Sequence, residues 1–397
     1  MTQAGVLPEI AAIEEEMIAI RHRLHARPEL GFEEHATSEL VATLLAGWGY
    51  SVTRGIGGTG VVGTLARGHG HGYRLGLRAD MDALPIHEAT GRPYASRVEG
   101  VMHACGHDGH TAMLLAAARC LAQRSQGAHW QGTLNLIFQP AEEGLGGARR
   151  MIEEGLFERF PCDAVYAMHN VPGFPAGRLG FHPGPFMASA DEVTIRVEGR
   201  GGHGATPQHT VDPVVVCASI VMALQSIVAR NVDPRQPAVV TVGAMRAGAA
   251  SNVIPSHAEL LLSVRALSPD VRTLLESRIR DIVQGQAASY GARAEIDYRH
   301  DYPVLVNHAA QTDLAREVAM EWLGPQALID ELPALMASED FAYMLERCPG
   351  SYLSIGNGGH DGGAHGCSLH SPHYDFNDAC LAIGASYWVR LAERLLQ

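Results

Sequence analysis

Lysine is absent from this chain of 397 residues: its 30 basic side chains are all arginine, set against 43 aspartates and glutamates for a formal charge of -13. No cluster of arginines reverses that sign locally, so phosphate backbones and anionic lipid are repelled, and neither nucleic acid nor membrane is expected as a partner. The N-terminus, MTQAGVLPEIAAIEEEMIAI, lacks the basic start and apolar run of a secretion signal. No later segment reads as approaching a membrane span, which makes the cytoplasm the expected location. Cysteine is sparse and odd in number, seven between Cys105 and Cys380 without framework spacing. That argues against a disulfide scaffold and leaves any special cysteine as a ligand or a nucleophile. Internal repeats and long biased tracts are missing as well. What remains, 46% hydrophobic and 18% charged residues, is the composition of a folded globular protein with length for two domains.

The apolar spacing predicts helices over 8–26 and 36–47, then strands at Val61–Leu65 and Tyr73–Leu77. An Ala/Leu-rich run over Thr111–Arg124 reads as a buried helix. Thr133–Phe138 and Ala164–Met168 read as strands, separated by a helical stretch around 147–157. Strands alternating with helices indicate a parallel or mixed α/β sheet. Between about 186 and 297 the order becomes strand 191–198, helix 211–229, strands near 238–245 and 258–265, helix 269–285 and strand 293–298. This βαββαβ order matches a ferredoxin-like α+β layer inserted into a discontinuous first domain of 1–185 and 298–397. The first domain resumes with a strand at Tyr352–Ile355 and closes on a helix over 377–396.

Polar residues concentrate near predicted strand ends: RADMDALP at 78–85, MHACGHDGH at 102–110, FQPAEE at 138–143, AMHN at 167–170 and LHSPHYDFND at 369–378. Ligands of open α/β sheets bind outside the carboxyl ends of the strands, so one shared site is expected there. Cys105 and His107 form a Cys-x-His pair ahead of a helix, a donor set suited to zinc and, less selectively, to manganese, cobalt or nickel. A buried cysteine beside helix-capping residues is the plain alternative. Glu142 and Glu143 would point oppositely on a strand and more freely in a turn. One carboxylate can then bind metal while the other takes a proton from a metal-activated water. His169 ends an apolar strand; His360, His365, His370 and His373 crowd a Gly-rich loop and are not ranked by their residues alone.

Three other features compete. GIGGTG at 55–60 has dinucleotide-loop spacing, but VVGTL after it reads as a strand where that fingerprint requires a helix. GHGHG at 68–72 has metal-binding side chains yet reads as a turn between strands. Cys105 near histidines also suits the nucleophile of a metal-independent cysteine hydrolase, against which stands the surplus of carboxylates.

Taken in order with GRGGHGATP at 199–207, SNVIP at 251–255 and SEDF at 338–341, these motifs resemble the M20 metallopeptidases. The resemblance is to their amidohydrolase subgroup, which contains hippurate hydrolases, N-acyl-amino-acid deacylases and auxin-conjugate hydrolases. It implies a zinc-exopeptidase-like catalytic domain with an inserted lid and dimerisation domain. Two divalent metal ions (Zn, Mn, Co or Ni) would be held by a bridging Cys105 with His107, Glu143, His169 and His370. Glu142 would be the general base and Asp82 an orienting carboxylate, while Asp80 occupies the place where other branches carry a histidine ligand. His203 would reach a neighbouring subunit's site, Asn252 would touch substrate, and Arg265 is a candidate for the substrate carboxylate. The implied reaction is hydrolysis of an N-acyl amino acid by a homodimer, with dipeptides, N-acyl-diamino acids or a catalytically silent fold as alternatives.

Overall fold

Each of the predicted apolar runs forms an element in the computed structural model, which describes residues 5–68, 72–126, 130–359 and 365–396. In chain order come α1 (Glu14–His25), α2 (His35–Gly47), β1 (Ser51–Ile56), β2 (Gly60–Arg67), β3 (Tyr73–Asp80), α3 (His107–Arg124), β4 (Gly132–Gln139), α4 (Gly147–Glu153), β5 (Ala164–Pro172) and β6 (Leu179–Gly180). Then follow β7 (Ser189–Glu198), β8 (Gly202–His203), α5 (Pro213–Arg230), β9 (Ala238–Ala247), β10 (Val253–Ile254), β11 (His257–Ala266), α6 (Pro269–Ser289) and β12 (Arg293–Tyr302). The chain closes with α7 (Ala309–Leu323), β13 (Gly350–Gly358) and α8 (Ala379–Leu396). It divides into two compact units: Met1–Gly184 with Val306–Pro333 and Asp340–Gln397, and Pro185–Leu305 with Ala334–Glu339.

The first unit is built on a seven-stranded mixed sheet in the order β1-β2-β4-β3-β5-β13-β6. Its centre, β4-β3-β5-β13, is parallel, with Asp80 opposite Gln139 and Ser354 opposite His169 in register. The carboxyl ends of four parallel strands therefore share one edge. Helix α3 packs on this sheet with nearly every residue from His107 to Ala122 buried, and α8 lies against it with Trp388, Tyr387 and Leu391 in the same core. Burying an apolar side chain of that size contributes roughly 1.5–3 kcal/mol, so this pair dominates the unit's core.

Two elements escape a reading by apolar period. Strand β1, at the sheet edge, is mostly solvent-facing and has a register shift around Gly55, whose φ is 77°. Helix α7 buries Thr312, Ala315 and Ala319 beside one larger apolar residue, Val318, too little to produce a strong apolar stripe. The stretch predicted as one helix over 8–26 divides, with Pro8–Ala11 a separate turn of helix before Glu14. The turn expected at 68–72 has His69 and His71 outside the described residues.

In the second unit β7 and β11 alternate strictly enough to bury Val193, Ile195, Val197, Leu260, Leu262 and Val264 on one face. The sheet order is β9-β11-β7-β12, antiparallel throughout, with α5 and α6 covering the apolar face, so the βαββαβ arrangement is ferredoxin-like as expected. Helix α5 corrects the reading of the membrane signal. Its 18 residues have a mean hydropathy of 1.8, enough by length and composition for a membrane span. Val215 and Met222 add to it from the exposed face, opposite the buried Val216, Ile220, Leu224 and Ile227.

Candidate metal centre

The parallel strands of the first unit end in the polar motifs. Asp80 is the last residue of β3, and Asp82 lies just beyond it. Helix α3 begins at His107, four residues before the apolar run predicted, because Gly106 at its N-cap adopts φ 92°. A Cβ there would meet Asn170 Oδ1 at 2.4 Å and Tyr374 Oη at 2.6 Å, so glycine alone fits without displacement. Strand β4 runs into the Pro140 turn that carries Glu142 and Glu143, and β5 carries His169 and Asn170. The loop after β13 delivers His370, whose own φ is 63°.

These residues converge. Ligand atoms of Cys105, His107 and His169 lie within 4.8 Å of one another, as do those of Cys105, Glu143 and His370, and those of His107, Glu142 and Glu143. Cys105 Sγ is 3.4 Å from His169 Nε2, and His370 Nε2 is 3.2 Å from Glu143 Oε1. His107 Nδ1 donates to Asp82 Oδ1 at 3.1 Å, while Asp82 Oδ2 accepts the Glu143 backbone N–H at 2.9 Å. One buried carboxylate thus fixes the ring of His107 and the backbone of Glu143 together. The opposite ring nitrogen, His107 Nε2, is buried with no hydrogen-bond partner among the described residues, and Glu143 Oε1 is buried with the His370 ring nitrogen beside it at 3.2 Å. Leaving a group such as His107 Nε2 unpaired costs about 1–3 kcal/mol, so a missing partner is implied.

The charge balance implies the same partner. Burial opposes a charge on His107, but Asp80, the hydrogen bond to Asp82 and Glu143 outweigh it and lift its pKa to about 10. Burial also pushes the Cys105 thiol well above its ordinary range, and Glu143, Glu142 and Asp80 push it further. A nucleophilic cysteine needs an electropositive setting, which these carboxylates deny. A divalent cation reverses that logic, deprotonating a coordinating thiol and releasing the proton from imidazole. The residues present fit a metal pair: two overlapping triads share Cys105, and the carboxylates in excess supply charge for cations to neutralise.

Asp80 lies beside His107, its Oδ2 3.9 Å from His107 Nε2, in a further donor group with His107 and His110. Its Oδ2 accepts from Arg78 Nη1 at 2.7 Å and its Oδ1 pairs with His110 Nδ1 at 2.6 Å. Burial opposes its charge, yet His107, His110 and Arg78 hold the carboxyl well below the usual range. His110 Nε2 in turn lies 2.7 Å from Asn170 Oδ1, and Asn170 donates to Tyr374 Oη at 2.5 Å. Burial drives the His169 pKa well below the ordinary imidazole range, with His110 adding to the effect, so His169 is neutral and its Nδ1 donates to Asn170 O at 2.7 Å. This leaves Nε2 toward Cys105. Arg78, His110, Asn170 and Tyr374 are the supporting residues that reading by motif passed over. Their only signal was membership of the same polar strings.

Of the remaining loop histidines, His365 Nδ1 lies 3.2 Å from Asp375 O and His373 Nδ1 3.0 Å from Ala89 O, while His360 is outside the described residues. GIGGTG is a hairpin between β1 and β2, with Gly57 and Gly58 at positive φ, and no helix follows it. His203, Asn252 and Arg265 belong to the second unit. There His203 on β8 pairs with Val253 on β10, and Gly204 N donates to Asn252 O at 2.8 Å. Arg265 Nη1 donates to Met336 O at 2.8 Å.

Comparison with known proteins agrees with the class that this fold and donor set define. Residues 76–394 match the model of Peptidase family M20/M25/M40, and the chain belongs to that family of hydrolases. It is 45% identical over 393 residues to the hippurate hydrolase of Campylobacter jejuni, covering 99% of this chain and 100% of that one. It is 38% identical to the N-acetyl-L-cysteine deacetylase of Bacillus subtilis, covering 98% and 90%. Among solved structures, a Bacillus subtilis dinuclear metal binding peptidase from the M20 family superposes with a TM-score of 0.83 at 32% identity, covering 97% and 99%.

Proposed function

We propose that this hydrolase cleaves the amide bond of N-acyl amino acids, releasing a carboxylic acid and a free amino acid. The observation that carries the reading is the pair of triads sharing Cys105, with Glu142 beside them and only 6% exposed. Relatives named for hippurate and for N-acetyl-L-cysteine support an acylated amino acid as the substrate type without choosing the acyl group. Cys105, His107, Glu143, His169 and His370 would hold two divalent cations, which when bound would polarise the scissile carbonyl and acidify the attacking water. Glu142 takes the proton from that water and passes it to the leaving amine nitrogen, a general-base contribution of roughly 10²–10⁴-fold. Asp82 keeps the His107 ring in one tautomer and orientation.

The second unit acts as lid and dimerisation domain in this reading. His203 from a second copy of the chain stabilises the developing oxyanion, Asn252 contacts substrate, and the Arg265 guanidinium receives the amino-acid carboxylate. A cytoplasmic setting suits the seven free cysteines.

The test is a panel of N-acetyl, N-benzoyl and N-indoleacetyl amino acids incubated with metal-loaded enzyme, with and without chelator, with free amino acid quantified. Cleavage of one acyl class only in the presence of metal, and its loss in Glu142→Gln at unchanged metal content, is the expected result. Activity that survives exhaustive chelation but is destroyed by alkylating Cys105 would replace this mechanism with a cysteine hydrolase. Two bound metals without cleavage of any member would move the substrate to dipeptides or other small amides.

A further inference from the structure

The GIGGTG hairpin and Glu34 lie behind the turn that carries Glu142, and neither is used by the chemistry above. Glu34 starts helix α2, where its backbone O accepts from Ser38 N at 2.9 Å, so its side chain springs from a rigid mount. The residue is fully buried. Its Oε1 accepts the Ala141 N–H at 2.8 Å, and its Oε2 accepts the Thr59 hydroxyl. Ala141, immediately before Glu142, has a φ of 52°, in the left-handed region that a residue with a Cβ rarely adopts unless its surroundings impose it. Its carbonyl is also committed, accepting from Gly147 N at 2.9 Å.

The hairpin makes this arrangement possible by close approach. A Cβ on Gly60 would lie 2.3 Å from Ile56 O and 3.1 Å from Pro140 Cδ, and one on Gly57 would lie 2.6 Å from Met151 Cγ. Gly57 N donates to Glu154 Oε2 at 2.7 Å, fixing the hairpin to the segment that follows α4. Thr59 is thereby delivered to Glu34 with 6% exposure. On the far side of Glu142, the Glu143 N–H is held by Asp82 Oδ2 at 2.9 Å. The peptide nitrogens on both sides of Glu142 are therefore anchored by buried carboxylates from distant parts of the sequence.

We infer that Glu34, set by Thr59 of the glycine hairpin, is a positioning residue for the general base: it imposes the left-handed Ala141 and so aims Glu142. The inference rests on the reading of Glu142 as that base. A displacement of about 1 Å in a reacting group can cost on the order of 10²-fold in rate. Removal of the anchor should therefore be felt in kcat, and hardly in KM or in metal binding.

The experiment compares Glu34→Ala, Glu34→Gln and Thr59→Val in metal-loaded enzyme, measuring kcat, KM, bound metal and Tm, with Val318→Ala on helix α7 as a core truncation that lowers Tm elsewhere. Glu34→Gln keeps a carbonyl oxygen for the Ala141 N–H. We expect Glu34→Ala to lose roughly ten- to hundredfold in kcat with KM and metal content near wild type, Glu34→Gln to recover to within about threefold, and Thr59→Val to fall between. The inference is overturned if Glu34→Ala keeps wild-type kcat, if Glu34→Gln is damaged as badly, or if a Val318→Ala variant of similar Tm loses as much. Glu142→Gln separates the two levels: an active Glu142→Gln sinks the base assignment and this inference with it, whereas an inactive Glu142→Gln beside an unaffected Glu34→Ala sinks only the inference.

Discussion

Replacing Asp82 by asparagine tests the metal-centre reading at a residue that touches no substrate in it. Asp82 Oδ1 holds His107 Nδ1 at 3.1 Å and Oδ2 holds the Glu143 N–H at 2.9 Å. Asparagine retains one oxygen and presents an NH₂ group in place of the other. Whichever way the amide is turned, one donor faces another donor. If the oxygen stays with His107, the Glu143 N–H is left buried and unsatisfied at about 1–3 kcal/mol, and the charge assistance to the imidazole is lost as well. Part of that cost appears as reduced stability and part as misplacement of two proposed ligands. Loss of an outer hydrogen bond of this kind typically weakens metal binding by roughly 10–100-fold, or about 1.4–2.7 kcal/mol. The assay is competition with a chromophoric chelator on the metal-free protein, using the affinity of wild type as reference, with Tm measured in parallel without metal. An affinity within about twofold of wild type would refute the claim that Asp82 orients the ligands, because no metal-binding consequence of the hydrogen bonds would remain.

Gly106→Ala should lower Tm and metal content together, since a φ of 92° and a Cβ 2.4 Å from Asn170 Oδ1 force either the helix start or the Asn170 side chain to move; wild-type values of both would show that the turn relaxes freely. The strained backbone alone costs about 1–2 kcal/mol. For His25, fully buried between Asp108 Oδ2 at 2.8 Å and Glu88 Oε1 at 3.3 Å, burial disfavours the charge but Asp108 and Glu88 prevail and raise the pKa to about 9. A pKa raised on folding gives stabilisation that is complete below about pH 6.5 and fades as pH rises through about 9, on the order of 3 kcal/mol in all, so His25→Gln should flatten denaturation midpoints across that window. An unchanged pH slope in the variant would place the dependence elsewhere. Leu114→Ala, at a fully buried position of α3, should cost about 2–5 kcal/mol in denaturant titration, and a cost below 1 kcal/mol would mean that the helix core repacks around the cavity.

The first unit was legible because its signals are local. Long apolar runs such as Thr111–Arg124 and Thr133–Phe138 have few alternatives to being buried helix and buried strand. The ferredoxin-like order followed from period-two alternation in strands such as Ser189–Glu198, where Val193, Ile195 and Val197 point inward between exposed charges. Strand β1 and helix α7 were not legible for the opposite reason: an edge strand with an irregular register and a helix that buries alanine and threonine carry little apolar contrast. Helix α5 misled in the other direction, since apolar residues on its exposed face are indistinguishable in composition from those on its buried face.

The same distinction divides the site. Cys105, His107, Glu142, Glu143 and His169 stood out as metal-binding or acid–base residue types in polar motifs near strand ends, whereas His370 was separated from the other loop histidines only by the family resemblance. The residues that hold them were invisible one at a time, because their meaning lies in pairings across the sequence. Asp80 shows this best: its motif position left its role open, and the register of β3 against β4 sets it beside Gln139, with Arg78 and His110 on its two oxygens. A carboxylate already saturated by an arginine and an imidazole has little left for a cation. It contributes negative charge behind His107 and fixes His110, which fixes Asn170 at the neck of helix α3. Behind the ligands Asp80, His110, Asn170 and Tyr374 form a paired chain, while His107 Nε2, without a partner among the described residues, lies among the proposed ligands; His103 and Asp108 also carry unpartnered buried atoms. A paired chain behind the ligands and an orphaned nitrogen among them are what a preorganised metal site requires, because donors held by their neighbours need no rearrangement when the cation arrives.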